Sequence, residues 1–204
     1  MCSNLFIKIQ NTIQLLSKKF NFFKEAIATA KTSGTIAPSS RFLADKMLKN
    51  INFNEAKLIV ELGPGNGAIT KHILEKIHPE TMLICFEIND SFYNELLEIN
   101  NDQLIVLKAS AENIQEEIEK RGFQNADYIV SSLPLAIIPK EISKNILIKS
   151  YDSLKEKGIF IQFQYSLNYL KKLKKVFGRN NVSVKFEAIN LPPAFVYECV
   201  KKTA

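Results

Sequence analysis

The chain has 204 residues, of which 46% are hydrophobic and 24% are charged. This length suits one α/β domain with a well-buried core and excludes two large domains. The net charge of +6 favours an anionic partner, either nucleic acid or an acidic membrane surface, without choosing between them.

The cysteines and histidines predict a reducing cytoplasm and no metal site. The three cysteines are odd in number and lack the spacing of metal ligands, and the two histidines lie far from any cysteine pair. No apolar run approaches the roughly 20 residues that span a bilayer, so we expect neither a transmembrane helix nor a signal peptide.

An apolar stripe along residues 4–30 predicts an amphipathic helix. Its apolar side chains recur at steps of three and four, lysines flank the stripe, and Glu25 is the only acid in it. Such a helix suits a membrane interface, because lysine stems lie along the apolar layer while their ammonium groups reach lipid phosphates. Docking of the same helix on the domain core is an equal alternative. We therefore expect a helical unit over residues 1–30 and one domain over residues 31–204.

A hydroxyl-rich segment, residues 31–44, connects these two units. A glycine and a proline end the first helix there, and Ser39 or Ser40 can cap a second helix that begins at Arg41. Hydroxyls, free N–H groups and a guanidinium together favour an anion. We predict Ser39, Ser40 and Arg41 as substrate contacts, with the fork of Arg41 on a phosphate.

Three alternating glycines, Gly63, Gly65 and Gly67, mark the predicted ligand loop. They follow a buried strand that begins at Leu58 and runs into Glu61, and an amphipathic helical pattern comes after them. Glycine allows a sharp turn and a close approach to a ligand, because it has no Cβ to collide. A ligand-binding loop at this strand-to-helix turn is favoured over an ordinary connecting loop.

A second buried strand, residues 81–86, ends in Glu87. In a parallel sheet an acid at this end of a strand can accept hydrogen bonds from both hydroxyls of a ribose. Glu87 follows the last glycine by about 20 residues, the distance that this geometry requires. The pair of features predicts a ligand that carries a nucleoside.

The rest of the chain alternates strand and helix, which predicts an α/β, doubly wound, Rossmann-like seven-stranded sheet with a C-terminal antiparallel hairpin. The further strands are expected over residues 103–108, 126–130, 158–165, 182–189 and 195–200. A helix over residues 140–154 is expected to have its glycine stop at Gly158. The helix over residues 168–177 carries four lysines, which usually form a solvated face and could also add to a surface for anions.

The residues from Glu61 to Gly67 resemble motif I of the class I S-adenosylmethionine-dependent methyltransferases, E-x-G-x-G-x-G. From about residue 30 to its C-terminus the chain is similar to the short bacterial phospholipid N-methyltransferases, which methylate phosphatidylethanolamine. The resemblance is carried by residues 34–44, 61–70, 131–135 and 192–197.

This resemblance implies S-adenosylmethionine as the cofactor and the amine head group of a membrane phospholipid as the methyl acceptor. The implied cofactor contacts lie in the glycine loop and at the strand ends: Glu61, Gly63, Gly65, Gly67, Glu87, Ile88, Ser110, Ala111 and Ser131. Ser110 stands where the family often has an acid that contacts the adenine amino group. Ser131, Leu133 and Tyr165 are the predicted catalytic residues, with no general base identified. We expect a monomer, bound peripherally at the inner face of the cytoplasmic membrane.

Two alternatives remain for the acceptor. The related ribosomal RNA adenine N6-dimethyltransferases share the glycine loop but carry Asn-Leu-Pro-Tyr where this chain has Ser132 to Leu135. Ser132 orients an adenine amine less well than asparagine, and Leu135 offers no ring to stack a flipped base. We also expect no helical RNA-binding domain after the hairpin, so nucleic acid is the less favoured partner. An amino-acid lipid such as ornithine lipid is the other alternative.

Overall fold

The computed structural model describes residues 41–190 and 192–203. The predicted helix in residues 4–30 and the predicted contacts Ser39 and Ser40 lie outside the described residues. The division into units at residue 30 therefore stays a prediction.

Six helices and seven strands alternate along the described part of the chain. The helices are α1 (Arg41–Leu48), α2 (Ala68–Leu74), α3 (Asp90–Leu97), α4 (Ile114–Glu119), α5 (Lys140–Ser153) and α6 (Leu170–Phe177). The strands are β1 (Leu58–Leu62), β2 (Met82–Phe86), β3 (Leu104–Leu107), β4 (Ala126–Ser131), β5 (Leu154–Gln164), β6 (Val182–Glu187) and β7 (Ala194–Val200). None of the helices among these residues is long and apolar enough to cross a bilayer.

The seven strands form one sheet in the order β3-β2-β1-β4-β5-β7-β6. The first five strands are mutually parallel, and β7 lies antiparallel between β5 and β6. The predicted sheet and its C-terminal antiparallel pair are confirmed. Chain order reverses between β1 and β4, and ligands of doubly wound sheets bind at such a switch point.

The core lies in two layers, one on each face of the sheet. Alternate residues of a strand point to opposite faces, so Val60 packs into one layer and its neighbour Ile59 into the other. Helices α1 and α2 cover the Ile59 layer, and α4, α5 and α6 cover the Val60 layer. Because β1 is buried on both faces, its sequence is a continuous apolar run broken only by Glu61.

The predicted glycine stop at Gly158 is wrong. Helix α5 ends at Ser153, and β5 begins at the next residue with a bulge, so that its pairing with β4 jumps from Ala126–Leu154 to Tyr128–Ile159. A Cβ on Gly158 would lie 2.9 Å from the Lys155 carbonyl oxygen and 3.0 Å from that of Asp127. Gly158 is therefore needed where the bulge closes on β4, and it does not end a helix.

Candidate active site

The glycine loop follows β1 at the switch point of the sheet. Gly63, Gly65 and Gly67 have φ angles of +68°, +60° and +78°, a left-handed conformation that disfavours any residue with a Cβ. The Gly63 N–H donates to the Phe86 carbonyl at 2.9 Å. A Cβ added at Gly63 would lie 2.6 Å from Cδ2 of Leu133. The loop thus lies directly against the segment that follows β4.

Glu87 ties the end of β2 to this loop. Its Oε2 accepts a hydrogen bond from the Gly65 N–H at 3.0 Å, and its Oε1 accepts one from the Asn89 N–H at 2.9 Å. The Glu87 side chain is nearly fully buried. A carboxylate has about four acceptor positions, so these two bonds leave room for ligand hydroxyls. The predicted ribose contact stays a prediction, while the bond to Gly65 is a link that the sequence did not reveal.

Glu61 is fully buried behind the loop. Its Oε2 accepts hydrogen bonds from the Thr70 hydroxyl at 2.6 Å and from the Cys85 thiol at 3.4 Å. Its Oε1 has no hydrogen-bond partner among the described residues. Burial raises the pKa of Glu61 to about 7, the two hydrogen bonds oppose that rise, and the negative charge of Glu87 adds to it. An unpaired buried oxygen on such a group favours a ligand that brings a cation or a donor.

These features fit S-adenosylmethionine, which carries an ammonium, a sulfonium and a ribose. The three glycines have no side chains to obstruct a ligand, and the buried carboxylates of Glu61 and Glu87 lie close to the loop. Ile88 and Ala111, both implied contacts, are buried next to this region. The Ser110 hydroxyl oxygen accepts a hydrogen bond from the Glu112 N–H at 3.2 Å and so caps the short turn Ala111–Asn113. An adenine contact by the Ser110 side chain stays a prediction.

Ser131 and Leu133 lie where β4 ends. Ser131 is fully buried, and its hydroxyl oxygen accepts a hydrogen bond from the Leu133 N–H at 3.4 Å. The Leu133 carbonyl accepts hydrogen bonds from the side-chain amides of Gln162 at 3.0 Å and Gln164 at 3.2 Å. Both lone-pair directions of that carbonyl are therefore engaged. The two glutamines were not predicted, although two polar residues in an apolar strand were a visible signal.

A pocket of about 160 Å³ opens beside Leu133 at the ends of β4 and β5. It is lined by uncharged residues: Ser132, Leu133, Pro134, Ala136, Ile137, Phe163, Gln164, Tyr165 and Ser166. Burial raises the pKa of the Tyr165 hydroxyl, and the Asn190 side chain partly offsets that rise. The hydroxyl is buried and is protonated at neutral pH. Arg41 is the exposed first residue of α1 and is not part of this lining.

The described residues contain no group of three or more histidine, cysteine, aspartate or glutamate side chains placed to hold a metal ion.

Comparison with known proteins identifies the family of the chain. The profile of the methyltransferase small domain family matches residues 29–190. The ornithine lipid N-methyltransferase of Singulisphaera acidiphila is 33% identical over 181 residues, which cover 87% of this chain and 91% of that protein. The ribosomal RNA small subunit methyltransferase A of Borreliella burgdorferi is 31% identical over 136 residues, 67% of this chain but 47% of that protein.

A solved structure shows the same fold over most of the chain. The O-methyltransferase from Bacillus cereus in complex with SAH superposes with a TM-score of 0.65 at 12% identity and covers 88% of this chain and 90% of that one. The predicted fold and the predicted resemblance are thus confirmed. The chain belongs to the methyltransferase small domain family and is a class I, S-adenosylmethionine-dependent methyltransferase.

Proposed function

We propose that this methyltransferase N-methylates the amine head group of a membrane lipid. The observation that carries the proposal is the uncharged pocket next to the glycine loop. Leu133 joins the two, because its side chain contacts Gly63 on one side and lines the pocket on the other. An apolar pocket with a few uncharged polar groups suits an amine on an acyl-bearing molecule.

The similarity to an ornithine lipid N-methyltransferase makes ornithine lipid the first acceptor to test. Phosphatidylethanolamine, which the sequence resemblance favours, also carries a primary amine and is the second acceptor to test. The protein would act as a monomer from the cytoplasm, on lipid in the inner face of the cytoplasmic membrane. Arg41, with Ser39 and Ser40, stays a proposed contact for the anionic part of the head group.

The cofactor, once bound, supplies an electrophilic methyl group on sulfur, and methyl transfer releases S-adenosylhomocysteine. The chain must then place the acceptor nitrogen behind that methyl group, because positioning is the main source of catalysis in such a displacement. The amide of Gln164, which donates to the Leu133 carbonyl, and the hydroxyl of Ser132 are polar groups that the pocket offers, while the Tyr165 hydroxyl is buried in its wall. Ser131 holds the turn from behind.

The described lining of the pocket contains no carboxylate and no histidine. The acceptor amine therefore has to bind without its proton, and an alkyl amine has a pKa of about 10. We expect kcat/KM for the lipid to rise by about tenfold per pH unit between pH 7 and pH 9. Initial rates with lipid in neutral detergent micelles measure this. A plateau starting near pH 7 would reveal a base that the pocket does not show.

A ribosomal RNA acceptor is the second candidate. Its support is the similarity to the ribosomal RNA methyltransferase and the ring of Tyr165, which lines the pocket and packs edge-to-face against Phe163 at 5.6 Å. A flipped base needs such an aromatic face. Against it, Leu135 is fully buried and presents nothing to the pocket. Direct comparison of the two acceptors separates the candidates.

The test uses purified full-length chain, S-adenosylmethionine labelled in the methyl group, and three defined acceptors. Ornithine lipid and phosphatidylethanolamine are given in neutral detergent micelles, and unmethylated small-subunit ribosomal RNA in buffer. We expect label in one or both lipids and none in the RNA. Label in the RNA alone would overturn the proposal.

A matched pair of variants locates the acceptor. Ile137 lines the pocket and is 47% exposed, whereas Ile148 on α5 is 39% exposed and lies outside the lining. Ile137→Ser should raise KM for the lipid without changing cofactor affinity, because it makes an apolar pocket wall polar. Ile148→Ser should change neither. Equal effects of both variants would place the acceptor elsewhere.

A further inference from the structure

The outer face of α6 is strongly basic. It carries the side chains of Lys171, Lys172, Lys174 and Lys175, and Arg179 follows in the next turn. We call these five residues the α6 basic surface. In the sequence no aspartate or glutamate occurs between Glu156 and Glu187, so nothing nearby along the chain offsets the charge.

These cations are also unpaired in space. Among the described residues, none of the five takes part in an ion pair, whereas Lys57, Lys120 and Lys185 each contact a carboxylate at 2.9 Å or less. Lys172 instead lies 4.3 Å from the centre of the Tyr169 ring. Lys171, Lys174, Lys175 and Arg179 together line an open groove. Five unpaired cations on one surface create a positive potential that favours an anionic partner.

The opposite face of α6 is already occupied. Leu173 and Phe177 are buried in the core, and Phe177 stacks on Phe160 with ring centres 5.6 Å apart. The helix therefore has no apolar stripe left to insert into a bilayer. Whatever binds the α6 basic surface must bind through its charge and stay outside the domain, unlike the insertion predicted for the helix in residues 4–30.

The α6 basic surface follows the acceptor pocket closely along the chain. Ser166 lines the pocket, the turn Leu167–Tyr169 follows it, and α6 begins at Leu170. Leu167 is 48% exposed, and Ile137, on the pocket wall, is 47% exposed. Exposed apolar side chains therefore occur both on the pocket wall and in the turn that precedes the cations. Exposed apolar groups followed along the chain by cations suit a bilayer leaflet, where the acyl region lies next to the phosphates.

We propose that the α6 basic surface docks the enzyme on an anionic lipid bilayer and so turns the pocket mouth towards its lipid acceptor. This inference rests on the proposed lipid substrate. A lysine near an anionic bilayer contributes about fivefold in affinity, so loss of three lysines should weaken binding by about a hundredfold. Salt should weaken the binding of the unmodified protein as well, because the interaction is between exposed charges.

The test compares two triple variants of the full chain for binding to vesicles of phosphatidylglycerol and phosphatidylcholine. The first replaces Lys171, Lys174 and Lys175 by glutamine. The control replaces Lys49, Lys71 and Lys76, exposed lysines on or just after α1 and α2, which cover the opposite face of the sheet. Both variants lose the same charge. We expect about hundredfold weaker vesicle binding for the α6 variant and little change for the control.

Two results would overturn the inference. One is an equal loss of vesicle binding in the control, which would indicate attraction by net charge alone. The other is unchanged vesicle binding of the α6 variant, and if that variant also loses ribosomal RNA binding, the surface is assigned to nucleic acid.

Activity in two lipid forms separates this inference from the proposed function. In neutral detergent micelles the α6 variant should methylate lipid as fast as the unmodified protein, because no charged surface is needed there. On anionic vesicles the rate should fall with the binding. If the unmodified protein methylates no lipid in either form, the proposed function fails, whatever the vesicle binding shows.

Discussion

On the β1–β2 side of the site two buried carboxylates accept hydrogen bonds, one of them from the loop, whereas on the β4–β5 side two amides donate to one carbonyl. Glu87 accepts from two backbone N–H groups, and Glu61 accepts from Thr70 and Cys85. Gln162 and Gln164 both donate to the Leu133 carbonyl. The cofactor side thus presents negative charge and bare backbone, and the acceptor side presents neutral groups on an apolar surface. This difference suits a cationic cofactor on one side and an uncharged amine on the other.

The broadest expected effect comes from the contact that joins the two sides, because its disturbance should lower both stability and cofactor affinity. Gly63→Ala adds a Cβ that would lie 2.6 Å from Leu133, at a φ of +68°. We expect the free energy of unfolding to fall by about 2 kcal/mol and cofactor affinity to fall by at least about tenfold, because Leu133 or the loop must move. Chemical denaturation and calorimetric titration with S-adenosylmethionine measure the two effects.

Gly122→Ala is the matched control for this prediction. Gly122 has a φ of +82°, but an added Cβ there would meet nothing within 4 Å. Gly122→Ala should lower the free energy of unfolding by about 1 kcal/mol, from backbone strain alone, and leave cofactor affinity unchanged. Equal cofactor affinities of the two variants would show that contact with Leu133 does not seat the loop.

Glu87→Ala tests whether the loop depends on the acid at the end of β2. It removes a charged acceptor from the N–H groups of Gly65 and Asn89, and each such hydrogen bond contributes about 1.5–3 kcal/mol. Cofactor affinity should fall by about 10- to 100-fold in calorimetric titration. Glu80→Gln, at an exposed acid just before β2, should leave affinity unchanged. Unchanged affinity in Glu87→Ala would contradict the assigned ribose and loop contacts.

Glu61 should make stability depend on pH. Burial raises its pKa from 4.5 to about 7, so the folded chain binds this proton more tightly than the unfolded chain does. The contribution of Glu61 to stability is therefore full below pH 4.5 and is lost as the pH rises to about 7, by about 3 kcal/mol. The free energy of unfolding is measured from pH 4.5 to 8 for the unmodified protein and for Glu61→Gln. The difference between the two isolates the contribution of Glu61. A flat difference would show that Glu61 is ionised throughout.

The smallest effects are expected for the two amides on the acceptor side. Gln162→Met and Gln164→Met keep most of the volume but remove the donors to the Leu133 carbonyl. Each substitution should lower the free energy of unfolding by about 1 kcal/mol. The double variant should lower it by more than the sum of the two, because the buried Leu133 carbonyl then lacks a partner. We expect kcat to fall while cofactor affinity stays unchanged. A loss of cofactor affinity in these variants would show that the two sides are not separate.

The strand-turn-helix geometry of the cofactor side could be predicted from the sequence, because its signals are local. Three alternating glycines and an acid at the end of the next strand lie within short stretches, and the structure adds the bond between Gly65 and Glu87, which the sequence did not reveal. The doubly wound seven-stranded sheet and its antiparallel pair followed from the alternation of strands and helices and from the final hairpin. These patterns depend on backbone conformation, which a few neighbouring residues determine.

The acceptor side could not be predicted in the same way, because its contacts join residues far apart in the sequence. Gln164 reaches a carbonyl 31 positions away, and no local pattern shows which carbonyl it reaches. The helix stop predicted at Gly158 was wrong for the same reason. A glycine after a lysine-rich helix end indicates a stop, but here the neighbouring β4 backbone requires it. The burial of Glu61 against Thr70 likewise depends on how α2 packs back on β1.

The central claim is that a lipid amine accepts the methyl group. The most direct measurement places the purified enzyme and labelled S-adenosylmethionine in one reaction with a total bacterial lipid extract and unmethylated ribosomal RNA, and then separates lipid from RNA. We predict label in the lipid fraction, on an amine-bearing species, and none in the RNA. Label in the RNA with an unlabelled lipid fraction would contradict the account.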